Sequence, residues 1–414
     1  MKILHISTSD FGGAGLCALR ICQSLLDLGV DSKMLVARKL SDEPFVSKAT
    51  ESGKNSFVPS KNRIVRKIQK ELRQKGYGLT ILERYQREVA CLQDKALFTF
   101  PISKYDLAKH PLVKEADIIH LHWVASFIDY PTFFPNVERP IVWTIHDENI
   151  GYGGFHYKKA RDEHYSKCQS IEDEMLTIKQ LALSQAKSDI YPVAISEVME
   201  SYCNQVPMLE KYPITLIHNG VNVTSFSPID KEIARKTYGI PQDRLVFAFC
   251  AQSLQDPRKG LKELISALEQ LKMENVTLIC AGDEEAPIGP STIDIVKVGV
   301  INDEKSLSVF YSCADFFVLS SFEESFGQTP LEAMACGVPV IAFPCGVTKE
   351  LINEANGIRC KEFTVESLVE GIKAAMGGQY DGETIRRDVI ERFSYERIGK
   401  QYLELYKSIL EKVS

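Results

Sequence analysis

Eight nearly unbroken apolar runs of four to six residues recur along the chain, at 3–6, 34–37, 118–121, 141–145, 245–250, 276–281, 316–319 and 338–343, separated by stretches with helical spacing. Runs this short and this apolar suit strands buried on both faces, the condition of a parallel sheet covered by helices. Parallel neighbours need a crossover, usually a helix, so the pattern predicts α/β layers. Polar turn residues from Asn219 to Pro228 separate the first four runs from the last four. We therefore expect an N-terminal Rossmann-like domain over 1–222 and a C-terminal one over 223–394. In the last segment, 395–414, Ile398, Tyr402, Leu405, Tyr406, Ile409, Leu410 and Val413 share one helical face, which predicts a closing helix packed on the first domain. Residues 40–115 show no strand order and are assigned to that domain.

Composition narrows the function classes. With 414 residues, 44% hydrophobic and 25% charged, the chain is ordinary for a two-domain globular protein. A net charge of -6 gives no overall nucleic-acid footprint, so no nucleic-acid partner is expected. The 11 cysteines include no C-x-x-C pair, and Cys17, Cys250, Cys280 and Cys336 sit within apolar segments, which points to reduced thiols. The N-terminus reads as a strand followed by a glycine-rich turn rather than a signal peptide, and no run reaches transmembrane length. A cytoplasmic location is expected.

Four stretches carry candidate chemistry. In the segment 321–343, Glu324 and Glu332 lie on either side of Gly327 and Pro330. Eight residues apart on one helix they would diverge by about 80°. Thr329 suits an N-cap, with Pro330 first and Glu332 third in the helix and Gly337 at its end, so the two glutamates straddle a helix N-terminus, a natural anion seat. Glu332 also fits a capping box reaching back to Thr329. Asp10-Phe-Gly-Gly-Ala-Gly-Leu-Cys-Ala18 follows the first strand and matches a dinucleotide pattern through Gly13, Gly15 and Ala18. Its glycines come late after the strand, however, and the second strand ends at Arg38 rather than an acid. Gln255-Asp-Pro-Arg-Lys-Gly260 sets Arg258 and Lys259 at a helix start, where cations are unfavourable unless an anion lies between. Finally His120 and His122 alternate on one strand and His146-Asp147 ends the next, a set that invites a metal reading, although no further Asp or His cluster supports it and both strand histidines also suit a core.

Taken together and in order, the Gly12-Gly13 loop, Val142-Trp-Thr-Ile-His-Asp147, Ile217-His-Asn-Gly-Val-Asn222, Arg258-Lys-Gly260, Tyr311-Ser-Cys-Ala-Asp315 and the Glu324 to Glu332 block resemble the family 4 retaining glycosyltransferases. The resemblance covers nearly the whole chain. It implies the GT-B fold, two facing Rossmann-like domains with a cleft between them. It implies further that Glu324 meets the donor sugar's hydroxyls, that Ser325, Phe326, Gly327, Gln328 and Thr329 line sugar and phosphate, and that Glu332 holds the ribose. Lys259 corresponds to the cation on the diphosphate and His146 to the histidine near the sugar. Gly12 and Gly13 leave room beside diphosphate and acceptor, and the base lies near Val300. The chain departs from the family where Ala251-Gln252-Ser253 replaces a usual arginine, a place that Arg258 is positioned to take, and where His218 and Asn222 replace a usual Pro and Asp.

The implied reaction moves a sugar from a nucleotide diphosphate sugar to an acceptor hydroxyl, a glycan or lipid-linked acceptor in cell-surface polysaccharide or glycolipid synthesis. It proceeds with retention, and no metal or other cofactor is expected. A nucleotide-sugar epimerase or hydrolase, or a non-catalytic nucleotide-sugar-binding protein, is the alternative on the same architecture. Residues 61–75 carry seven cations and one anion around the apolar stripe Ile64, Ile68 and Leu72. That pattern suits peripheral docking on an anionic membrane, and equally a solvated helix whose stripe packs on the domain.

Overall fold

A computed structural model of the chain describes residues 1–53, 61–74, 78–92, 96–283 and 291–413. It divides into two compact units, one of residues 1–195, 199–217 and 402–414, the other of 196–198 and 218–401. Each is built on one parallel sheet. The first sheet holds β1 (Lys2–Ser9), β2 (Asp31–Arg38), β3 (Val46–Lys48), β4 (Ile118–Leu121), β5 (Ile141–Ile145), β6 (Ile190–Ala194) and β7 (Thr215–Leu216), in the order β3-β2-β1-β4-β5-β6-β7. The second holds β8 (Leu245–Cys250), β9 (Val276–Ala281), β10 (Asp294–Lys297), β11 (Phe316–Leu319), β12 (Val340–Ala342) and β13 (Gly357–Arg359), in the order β10-β9-β8-β11-β12-β13.

Both sheets therefore run outward from their first strand in one direction and then resume on its other side, the doubly wound Rossmann order. The reversal falls between β1 and β4 in one unit and between β8 and β11 in the other. There the two connections leave in opposite directions and the chain opens a crevice at the carboxyl ends of the strands. The central strands of the second sheet are buried because they are largely apolar. Phe247, Leu278, Val318 and Ile341 are wholly enclosed with Leu264, Leu268, Leu368 and Ile372 from the helices Leu261–Leu271 and Val365–Gly377.

In the first unit the core is less apolar than the sequence suggests. His5, His120 and Thr144 are fully buried, and His5 pairs in register with His120 across β1 and β4. The last helix, Tyr395–Val413, buries Ile398, Tyr402, Tyr406 and Ile409. Tyr406 Oη lies 2.7 Å from Nδ1 of His120, while Thr144 Oγ1 lies 2.8 Å from both Nε2 of His120 and Oη of Tyr402. The terminal helix is thus joined to its sheet by polar contacts inside an apolar setting, where an unmade hydrogen bond is expensive.

The basic segment forms the helix Arg63–Gln74, with Lys75 outside the described residues. None of its residues is buried, and Ile64 is 72% and Ile68 51% exposed, so the apolar stripe does not pack on the domain. Arg73 turns the other way, to Glu83 and to the Gly78 carbonyl of the following segment. Among the described residues no helix is long and apolar enough to cross a membrane.

Replacing Thr144 by Val keeps the shape of the strand residue but strips a partner from both His120 and Tyr402. We expect a loss of about 1–3 kcal/mol for each buried group left bare. Urea unfolding measures it, and an unchanged midpoint would show that the buried network adds nothing to stability.

Candidate functional site

In the second unit the candidate residues come from the two loops that leave the switch point. After β8 the chain passes Ala251 and turns through Pro257–Lys259 into the helix Leu261–Leu271. Asp256 begins that turn, its carboxylate accepting from the Arg258 backbone N–H at 3.0 Å and from the Arg258 guanidinium at 3.1 and 2.7 Å. Burial works to raise the Asp256 pKa, yet the adjoining Arg258 holds it below the usual carboxylate range. Arg258 thus spends its fork on Asp256, whereas Lys259 reaches across to the other loop, its Nζ 2.6 Å from Oε1 of Glu324.

The two loops are fastened by a serine hydroxyl and by backbone. Ser320 Oγ donates toward the carbonyls of Gly260 and Lys259, at 2.8 and 3.1 Å, and the Phe322 N–H donates to the Arg258 carbonyl at 2.8 Å. Gly260 sits at φ +71, and a Cβ there would lie 2.0 Å from the Ser320 carbonyl oxygen. Only glycine allows both the turn and the approach.

The helix after β11 runs Gln328–Ala335 with Gly327, at φ 96, as its N-cap. This corrects the expected start. Thr329 is not the cap, and Pro330 stands third rather than first. Glycine takes the left-handed conformation without penalty and so opens the helix earlier, while a proline within the first turn lacks only an N–H that would have no intrahelical partner anyway. Glu332 consequently lies too deep to close a capping box with Thr329. It is 6% exposed, and Oε2 accepts from the Tyr311 hydroxyl at 2.9 Å. Burial, with Cys250 and the Glu332 carboxylate close by, pushes the Tyr311 hydroxyl well above its ordinary value, so it acts as a donor. At the other end Gly337, φ +79, closes the helix as expected, with its N–H on the Met334 carbonyl at 2.9 Å and the Val338 N–H on the Ala333 carbonyl at 3.0 Å.

Ser325, Phe326, Gly327, Gln328 and Thr329 form the loop and first turn between the two glutamates, and the Val347 N–H anchors it by donating to the Phe326 carbonyl at 2.9 Å. Val300 stands apart from these residues in the chain, 58% exposed just after β10.

The first unit holds the remaining candidates. Gly12 and Gly13 open the helix Gly12–Asp27, and a Cβ at either would meet nothing within 4 Å. The close approach belongs instead to Gly15, whose Cβ would lie 2.6 Å from the Ser9 carbonyl oxygen. His146 follows β5, and burial lowers its pKa to about 4 against an opposing pull from Asp147. Its Nε2 lies 3.3 Å from Nδ1 of His122, and Nε2 of His122 lies 2.9 Å from Nδ1 of His5. Nitrogens of His5, His120 and His122 fall within 4.8 Å of one another, a set able in principle to hold an ion. Both nitrogens of His120 already have partners in Thr144 and Tyr406, and both of His122 in His5 and His146. Only Nε2 of His5 is left, so the set fits a metal poorly.

Two residues of this arrangement escape a reading of the sequence. His5 hides in the first apolar run, its only clue being that it stands alone as a polarisable group in a strand. Tyr311 belongs to a quoted motif, but nothing local to it points to Glu332, 21 positions away.

Residues 230–392 match the family described as glycosyl transferases group 1. An uncharacterized glycosyltransferase of Methanocaldococcus jannaschii is 24% identical over 318 residues, 72% of this chain and 77% of that protein. A D-inositol 3-phosphate glycosyltransferase of Catenulispora acidiphila is 30% identical over 149 residues, 32% of this chain and 35% of that one, so the chain spans about a third of it. Among solved structures, Anabaena HepE in complex with UDP-glucose superposes with a TM-score of 0.62 at 19% identity, covering 99% of this chain and 100% of that one, a likeness of fold. Residues 230–392 are thus similar to glycosyl transferases group 1, and the chain has the GT-B fold with its two Rossmann-like units.

Proposed function

We propose that the protein is a retaining, hexosyltransferase-like enzyme that moves a sugar from a nucleotide diphosphate donor to the hydroxyl of a glycan or lipid-linked acceptor. The observation that carries this reading is the contact of Lys259 Nζ with Glu324 Oε1, 2.6 Å, at the switch point of the second unit. A nucleotide sugar changes character along its length, from an anionic diphosphate to a neutral polyol. An ammonium beside a carboxylate matches that change, the first suited to phosphate and the second to hydroxyls. HepE, solved with UDP-glucose, offers the same kind of ligand on the same fold.

In this reading Glu332 holds the ribose hydroxyls, Glu324 the sugar hydroxyls, and the amides from Phe326 to Gln328 the phosphates. Gly12, Gly13 and His146 belong to the acceptor and sugar side, and Val300 to the base. The bond between the anomeric carbon and the diphosphate oxygen breaks with its electron pair going to the diphosphate. The acceptor oxygen bonds to the anomeric carbon on the same face, and its proton passes to the departing phosphate oxygen. Lys259 and the helix amides lower the barrier by meeting charge where it develops. Arg258 contributes only by exchanging Asp256 for phosphate. No metal enters the scheme, so nucleotide release from a panel of UDP-, GDP- and ADP-sugars is expected to need acceptor and to persist in EDTA. Activity abolished by the chelator and restored by a divalent ion would overturn the metal-independent scheme, and release without acceptor would favour a hydrolase.

The glutamates separate binding from chemistry. Glu332→Gln keeps an acceptor for Tyr311, so it is expected to melt near wild type but to bind the cognate nucleotide several-fold more weakly, part of the roughly 10-fold to 150-fold that loss of a charged hydrogen bond implies. Glu324→Gln is expected to keep nucleotide affinity and lose about 10-fold or more in turnover. Calorimetric titration and initial rates measure both, and unchanged nucleotide affinity in Glu332→Gln would remove the ribose role.

The reading extends to place. A role in cell-surface polysaccharide or glycolipid synthesis puts the enzyme on the cytoplasmic face of a membrane, and the helix Arg63–Gln74 is built for that. Its exposed Ile64, Val65, Ile68 and Leu72 lie among Arg63, Lys67 and Lys70. Each cation near an anionic surface contributes about 1 kcal/mol. Flotation with phosphatidylglycerol vesicles is expected to recover the protein and flotation with phosphatidylcholine vesicles to leave it behind. Equal recovery from both would exclude docking by charge.

A further inference from the structure

His5 comes from β1, and His122 and His146 from the residues just beyond β4 and β5, and the three touch in series. His5 Nδ1 lies 2.9 Å from His122 Nε2, and His122 Nδ1 lies 3.3 Å from His146 Nε2. Burial lowers the pKa of His5 to about 3 and that of His146 to about 4, and it holds His122 well below its ordinary value, with His120, His5 and His146 adding to the shift. All three rings are therefore neutral near pH 7.

A neutral imidazole has one N–H and one bare nitrogen. Three in series can satisfy both contacts in only two ways. In the first, each proton points toward His146: His5 donates from Nδ1, His122 accepts at Nε2 and donates from Nδ1, and His146 accepts at Nε2 and keeps its own proton at Nδ1. In the second, every proton is reversed and His5 carries its N–H at Nε2. That nitrogen is buried without a hydrogen-bond partner. A buried N–H without an acceptor is rarer in proteins than an under-used acceptor, so the first arrangement is favoured. His120 helps to hold the order. Pinned by Thr144 and Tyr406, its ring centroid lies 4.0 Å from that of His122 and restrains that ring against turning over.

We infer that His5 and His122 are positioning residues that fix His146 as the Nδ1–H tautomer, so that His146 meets its ligand as a hydrogen-bond donor from Nδ1 to an oxygen. Among the described residues that nitrogen has no protein partner, and it stands at the carboxyl end of a strand, where open α/β sheets present their ligands. The class of group it fits is a hydroxyl or phosphate oxygen. The inference rests on the proposed reading of His146 as a residue of the transfer site.

Long-range proton–nitrogen correlation on the full chain labelled with ¹⁵N-histidine tests it, with His146 assigned from the spectrum of His146→Gln. We expect His146 in the Nδ1–H form, unchanged between about pH 6 and pH 8 because the rings stay neutral. An Nε2–H form in the wild type would overturn the inference without any further variant. His5→Leu removes the first donor, and His146 is expected to become a mixture of tautomers while kcat falls by about 10-fold with nucleotide affinity unchanged, the cost of one hydrogen bond misdirected in the transition state. His5→Gln, whose amide can still donate to His122, is expected to restore both the tautomer and the rate. A His146 that stays in the Nδ1–H form in His5→Leu would overturn the positioning role. If the tautomers are as expected but His146→Gln keeps full turnover, the link to transfer falls while the proton order stands, which separates this inference from the functional reading beneath it.

Discussion

The close approach of Gly260 to Ser320 is the contact on which the second unit's candidate site depends. A side chain at 260 would push a Cβ to 2.0 Å from the Ser320 carbonyl oxygen. Without one, the loop after β8 lies against the loop after β11, and Ser320 Oγ donates toward the carbonyls at 259 and 260. Lys259 is thereby delivered to Glu324 from a position 65 residues earlier in the chain. Ion pairs on long flexible side chains add little stability where solvent reaches them. The placement here is set by backbone, which leaves the Lys259 and Glu324 heads able to separate when other partners compete for them.

Much of this was legible in the sequence because parallel strands must be apolar on both faces. The runs at 118–121, 141–145, 245–250, 276–281 and 316–319 became β4, β5, β8, β9 and β11 with those bounds. Strands that broke the rule were not seen. β6 contains Pro192, which removes a ladder donor, while β7 has two residues and β3 and β13 three each, too few to show a pattern. The helix after β11 was found, but its start was misplaced by two residues because Thr and Pro signal a cap through local chemistry, whereas Gly327 opens it through a backbone conformation fixed by its surroundings. The same limit hid the partners of the site residues. Glu332 and Tyr311 meet across two helices, and His5 and His122 meet across two strands, contacts that no local spacing encodes.

The two units share one strand order but equip the switch point differently. In the second, charge dominates: Lys259, beside the paired Arg258 and Asp256, meets Glu324 on the other loop, and Glu332 is held by Tyr311. In the first, the sheet behind the switch point carries imidazoles that burial keeps uncharged. A shared fold therefore says where a ligand belongs in each unit and nothing about what kind. The kind is set by the side chains at the strand ends.

That difference has a chemical logic under the proposed reaction. Leaving-group chemistry needs fixed positive charge, since the diphosphate gains charge as the glycosidic bond breaks, and Lys259 with the amides at the start of Gln328–Ala335 are such charges. A sugar hydroxyl gains little charge at that step. A neutral imidazole offers such a hydroxyl direction without charge. Packing one side of His146 against His122 achieves this by removing water from part of the ring, and the cost of desolvating a charged form is what favours the neutral one. The unusual polarity of the first unit's core, with His120 held by Thr144 and Tyr406, is then the support that such a residue requires, because a neutral imidazole is useful as a donor only when something else decides which nitrogen carries the proton.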